Sequence, residues 1–188
     1  MKTVHQLVFV GTLTLCVDLP AEDWSAFSGG SGNGVSDAKD VPTEWGTNEG
    51  VVWKIDLPGR NNGSPVVSAE HIFLVSSDRT GHQRRLHCIE SDDGAAKWVQ
   101  AVEFDEEMPT HKTNLFGGTT PAANGERVVV WHGSAGLYCY DFDGNQVWHR
   151  QLGEFRHQWG YGTSPVLHGE KVILHTGPGT TVFVAAFD

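Results

Sequence analysis

One unit recurs in this chain and limits what it can fold into. Residues 86–98 (LHCIESDDGAAKW) read as a short strand, an Asp-Gly turn and a second strand that opens on a large aromatic. Residues 137–148 (LYCYDFDGNQVW) repeat the unit, and residues 184–188 (VAAFD) begin it a third time. A small-hydroxyl–proline step at 64, 120 and 164 precedes a short apolar run, a turn and a longer β-branched run. Trp53, Trp98 and Trp148 recur about every 45–50 residues, and no window holds a helical period. Four short strands in such a period predict a propeller blade, an antiparallel sheet that hides both faces only by stacking on neighbours. The expected fold is therefore all-β: a partial β-propeller of four-stranded antiparallel blades, about three blades and a part.

The turn chemistry follows from the residues. Gly after Asp accepts positive φ without a Cβ clash, and the acid at 90 or 141 can accept N–H bonds from the turn. The Trp that opens each outer strand is expected to fill the seam to the next blade. Residues 51–57 (VVWKIDL) alternate and also predict a strand, of outer-strand type. Cys88 and Cys139 take the same place in successive units, and Ala186 takes it in the third. Equivalent places in stacked sheets lie about 10 Å apart, beyond disulfide reach, so both thiols are expected to be free packing residues.

The first residues resemble an export signal. Lys2 gives a positive end, and residues 7–17 (LVFVGTLTLCV) form an apolar run too short to span a bilayer. Leu19-Pro20-Ala21 then precedes an expected cleavage, leaving Glu22 as the mature start. Residues 1–21 are thus read as a signal peptide, 22–50 as an irregular leader and 51–188 as the propeller domain. The expected location is the periplasm or outside the cell. Cys16 raises a lipid anchor, but Leu15 stands where a lipoprotein signal wants a small residue. A net charge of −10, with no basic run, argues against nucleic-acid or anionic-membrane binding.

The units resemble the pyrroloquinoline-quinone-like (PQQ-like) β-propeller repeat, whose motif is A-x-D-x-x-T-G-K-x-x-W. Cys88, Glu90, Asp93, Gly94 and Trp98 stand at its Ala, Asp, Thr, Gly and Trp places, with Ala95 replacing the Lys. The second unit, one residue shorter, keeps Cys139, Asp141, Gly144 and Trp148; the third keeps Ala186 and Asp188. The stretches FSGGSGNGVS and VVWKIDLPG are similar to the start of exported bacterial members. The resemblance implies two functional readings. One is a non-catalytic binding or scaffold module at the cell envelope, with no cofactor. The other is the N-terminal part of a quinoprotein alcohol or sugar dehydrogenase, and only there would PQQ and calcium enter. Neither calcium ligands nor a catalytic Asp can be matched to a position, so no catalytic residue is assigned.

A closed propeller needs four to eight blades, so the chain is expected to be a fragment of a protein of roughly 350–450 residues, open and prone to self-association through its blade faces. In this architecture the loop before each hydroxyl–proline step opens near the central axis. Those loops carry His111, Asn114, His157, Trp159 and Tyr161, the candidate binding residues for a protein, small-molecule or glycan ligand on the axial face. No metal site is expected, because the zinc spacings are absent and Asp141–Asn145 carries its Gly at the wrong place for a calcium loop.

Overall fold

The computed structural model describes residues 22–39, 41–47 and 49–188. The proposed signal peptide and Cys16 lie outside the described residues. Among the described residues eleven strands form three antiparallel sheets in simple meander order. The first blade holds β1 (Val66–Ser68), β2 (His71–Ser77), β3 (Gln83–Glu90) and β4 (Ala96–Glu103). The second holds β5 (Ala122–Ala123), β6 (Arg127–Trp131), β7 (Leu137–Asp141) and β8 (Gln146–Arg150). The third holds β9 (Val166–His168), β10 (Lys171–His175) and β11 (Val184–Phe187). The only helical turn among the described residues is a 3-10 turn at Gly133–Ala135. The all-β, open, partial propeller read from the repeat is the architecture found.

Alternation along each strand decides which seam a side chain enters. Val128 and Val130 of β6 face the first blade, where they meet Val66, Phe73, Val75, Leu86 and Cys88. Val129 and Trp131 face the third blade, joining Leu137, Cys139, Phe155, Val172 and Leu174. Blade two thus has two buried faces. Cys88 and Cys139 belong to different seams and are free. Burial pushes their thiols up, to about 12 and about 11. Such thiols stay protonated and inert at neutral pH.

Two tryptophans lock successive blades at the outer edge. The Trp53 indole donates to Ser91 O at 2.8 Å, and a Cβ on Gly94 would stand 2.6 Å from its ring. The Trp98 indole donates to Phe142 O at 3.0 Å, and a Cβ on Gly144 would stand 2.9 Å from its ring. Gly is therefore required twice over at these turns: φ is +74° and +89°, and the ring fills the space where a side chain would begin. Asp141 behaves as expected, its Oδ1 accepting from the Asp143 and Asn145 amides. Glu90 does not. Its carboxylate stands 3.6 Å from His71, and Asp93 accepts the Ala95 amide instead. The extra methylene carries the Glu90 carboxylate past the turn it was expected to cap.

The inner edge has its own connection. The Ser64 amide donates to Thr120 Oγ1 at 2.9 Å, and the Thr120 amide donates to Ser164 Oγ at 3.0 Å. The hydroxyls of the second and third hydroxyl–proline steps, Thr120 and Ser164, thus accept from the step before. Residues 51–57 correct the expected strand: they form no ladder. Among the described residues no strand flanks them to accept their backbone bonds, so an alternating sequence has nothing to pair with. Trp53 holds the segment instead, and Ser76 Oγ donates to Pro58 O at 2.8 Å.

The stretch before the blades holds no named strand among its described residues, yet it is docked. The Val67 amide donates to Trp24 O at 2.9 Å, and the Ala123 amide to Ser25 O at 2.8 Å. Asp23 accepts from Ser68 Oγ and the Ala69 amide, both at 3.0 Å. Ala69 has φ +52°, a conformation costly for a non-Gly residue, and the Asp23 carboxylate holds it there.

Candidate functional site

Three loops meet where the inner strands begin, and hydrogen bonds stitch them in blade order. The Asn62 amide side chain donates to Thr113 O at 2.6 Å, and the Asn62 and Gly63 backbone amides both donate to Gly117 O. The Asn114 side chain donates to Trp159 O and, at 3.4 Å, to Tyr161 O. Crossings this close exclude side chains. A Cβ on Gly63 would stand 2.1 Å from Thr119 O, and one on Gly117 2.7 Å from Arg60 O.

Four of the five candidate residues gather on this rim. The His111 and Trp159 rings stand 4.6 Å apart, tilted by 43°. Thr113 Oγ1 lies 2.8 Å from His111 Nδ1, and His157 Nδ1 accepts the Trp159 amide at 3.3 Å. Trp159 remains 53% exposed, so its free face is available to a ligand. Tyr161 points the other way. Its hydroxyl donates to Phe116 O at 2.6 Å and its ring meets Trp131 edge-on at 5.2 Å. Burial holds its phenol above the usual range. Tyr161 is therefore a core residue beneath the rim.

Under the rim lies a buried cation without a carboxylate. Arg84 of β3 is 1% exposed; its guanidinium donates to Gly81 O and His132 O and sits over Phe104, Phe116 and Tyr161. Backbone carbonyls and aromatic faces supply the negative potential that a counter-ion would otherwise give. Arg84 thereby ties blade one to the loop that follows β6. His132 is fully buried beside it, and burial, then the Arg84 charge, push its imidazole down to about 3.

Toward the axis a cleft of about 360 Å³ opens between the leader and blade three. Phe27, Asn62, Thr120, Thr163, Ser164 and His175 are among its lining residues. None of the five candidates lines it. Sequence reasoning missed the leader's part, because the leader binds through backbone carbonyls that no side-chain motif marks. The matched spacing of Val67, Ala123 and Leu167 after their prolines was the available signal.

A floor aromatic, calcium ligands and a base would be needed for a bound quinone. The rim offers Trp159, imidazoles and an amide. Glu106 and Glu154 of the neighbouring loops pair with Arg156. Among the described residues no three His, Cys, Asp or Glu side chains gather as a metal-holding group. Calcium takes six to eight oxygen ligands, and this donor set does not fit it.

Repeated four-stranded sheets, seam tryptophans and an inner ring of hydroxyl steps define an open β-propeller. The sequence matches the profile of the family described as outer membrane protein assembly factor BamB, over residues 34–113 and 82–188. The chain belongs to this PQQ-like β-propeller repeat family. The quinohemoprotein alcohol dehydrogenase ADHIIG from Pseudomonas putida HK5 is similar in structure, with TM-score 0.51 and 19% identity over 74% of this chain and 21% of that one. BamB from Moraxella catarrhalis gives TM-score 0.49 and 15% identity over 73% of this chain and 40% of that one. The match therefore spans less than half the length of either. No curated protein matches the sequence. No helix among the described residues is long and apolar enough to cross a membrane.

Proposed function

We propose that the chain is an exported, non-catalytic propeller module of the cell envelope, which binds a protein or glycan ligand on its axial rim. The observation that carries this reading is the rim itself. An exposed Trp159 is braced by His111 and fixed through its backbone by Asn114, with amide and imidazole groups around it. Rigid aromatics ringed by a few polar groups suit recognition, whereas calcium-assisted oxidation needs carboxylates the rim lacks. Membership of a family described by an outer-membrane assembly factor supports an envelope role, although a fold alone does not assign one.

Three measurements test the proposal. Fractionated cells expressing the full chain should hold it outside the cytoplasm, with Glu22 as its first residue; a cytoplasmic protein retaining Met1 would refute export. Incubation with PQQ and calcium should leave no bound quinone absorbance and no dye-linked oxidation of alcohols or sugars. Turnover that requires both would overturn the non-catalytic reading. A photo-crosslinking residue at position 159 should capture an envelope component that one at Val147, exposed on β8, does not.

A further inference from the structure

The inner strands present one backbone amide per blade to the axis, and the leader reads two of them. Val67, Ala123 and Leu167 occupy the same register, opposite Ile72, Val128 and Val172 of the next strand. At that register the N–H points away from the strand's own sheet partner. Val67 gives it to Trp24 O and Ala123 gives it to Ser25 O. The leader then turns back, the Gly29 amide closing on Ala26 O at 2.9 Å, and makes no backbone hydrogen bond to β9. Among the described residues the Leu167 amide has no acceptor.

The surroundings of that third amide are built to match. Two clefts adjoin at Ala26, Phe27 and Val166: one of about 220 Å³ takes in Leu167, and the one of about 360 Å³ takes in Thr163, whose hydroxyl is buried and has no hydrogen-bond partner. Buried polar groups in folded proteins are normally satisfied, so an unmade bond here points to an acceptor or donor supplied from outside. Phe27 is 62% exposed and Val166 54% exposed on the two walls, leaving apolar surface for a side chain between them.

We infer that these two adjoining clefts form one binding site for an extended polypeptide segment, whose backbone carbonyl takes the Leu167 amide as Trp24 and Ser25 take the other two. The leader is the precedent for the occupant. At two of three equivalent positions the acceptor is already a peptide carbonyl of an unstructured, Gly- and Ser-rich chain carrying aromatics. The third position takes the same chemistry in trans, with an apolar side chain of the guest against Phe27 and Val166 and a polar backbone group on Thr163. None of the five rim candidates lines either cleft, so the inference stands apart from the axial-rim reading.

The probe is a fluorescein-labelled nonapeptide with the sequence of residues 22–30, added to the full chain. Anisotropy should saturate below about 1 mM, and the Leu167 amide should shift in nitrogen–proton spectra and gain protection from exchange. Thr163→Val and Phe27→Ala should each weaken binding by up to about tenfold, with circular dichroism unchanged. Absence of binding to a folded chain at that concentration would overturn the inference. Shifts at the Val67 and Ala123 amides in place of Leu167 would also overturn it, since they would report exchange with the leader. Shifts confined to the Trp159 indole would overturn it and leave the rim reading standing. Failure of crosslinking at position 159, with the Leu167 response intact, would do the reverse.

Discussion

Trp98 and Trp148 hold the same place in successive blades, but their surroundings differ. Trp98 has the turn of the next blade against its ring and a carbonyl for its indole, at Gly144 and Phe142. It also meets Phe73 and Tyr140 at 5.9 and 6.1 Å, so it belongs to both sheets of the seam. Trp148 packs on the second cluster from one side, with Arg150 at 5.4 Å from its ring. The lesson is that the tryptophan's contribution is encoded in the following unit. A blade is finished by the turn of its successor.

That contrast gives the largest expected effect. Trp98→Ala should lower stability by about 3 kcal/mol, whereas Trp148→Ala should cost less than about 1 kcal/mol; urea titration of both variants compares them. Equal losses would break the distinction between a docked and an undocked ring. Gly144→Ala should cost about 2 kcal/mol, because positive φ and the Trp98 ring both oppose a Cβ. Gly125→Ala, at φ +90° with open space around it, isolates the backbone share at about 1 kcal/mol.

The first seam should also be acid-sensitive. His132 is neutral in the folded chain, with neither ring nitrogen partnered, and Arg84 and Tyr138 are the titratable side chains facing it. The unfolded imidazole takes a proton below its usual value near 6.5, so acid favours unfolding. Stability from this group is complete above pH ~6.5 and is progressively lost as pH falls from there toward the depressed folded value. Urea midpoints between pH 7 and 4 measure it, and His132→Phe should flatten that part of the slope. The smallest effect lies on blade three, whose outward face carries Val166 and Val184, 54% and 69% exposed. Val184→Lys should reduce concentration-dependent self-association in sedimentation velocity, at little cost to the fold.

The blades were legible because each carries its own local signals: hydroxyl–proline, turn, β-branched run, Asp-Gly, Trp. β4, β7 and β8 follow those marks within a residue or two, whereas β3 begins at Gln83, three residues before the unit at Leu86. Residues 51–57 were misread because alternation reports suitability for a strand and says nothing of a partner. Glu90 was misread because a one-methylene difference decides which donor a carboxylate reaches. On the rim, imidazole and amide groups converge as their loop positions imply. Tyr161 escaped because an aromatic next to Gly160 and Gly162 reads equally as surface or core until Trp131 and Arg84 are seen around it. The leader's contacts left no side-chain trace, apart from Asp23, and could not be found by motif.

The relay from Ser64 through Thr120 to Ser164 runs one way round the hub. Thr120 plays both parts, its amide reaching forward and its hydroxyl receiving from behind, like a link with a hook and an eye. A gene that duplicated or dropped one whole unit would leave every remaining junction chemically unchanged. The hub chemistry of this relay therefore fixes the order of neighbours and leaves their number free.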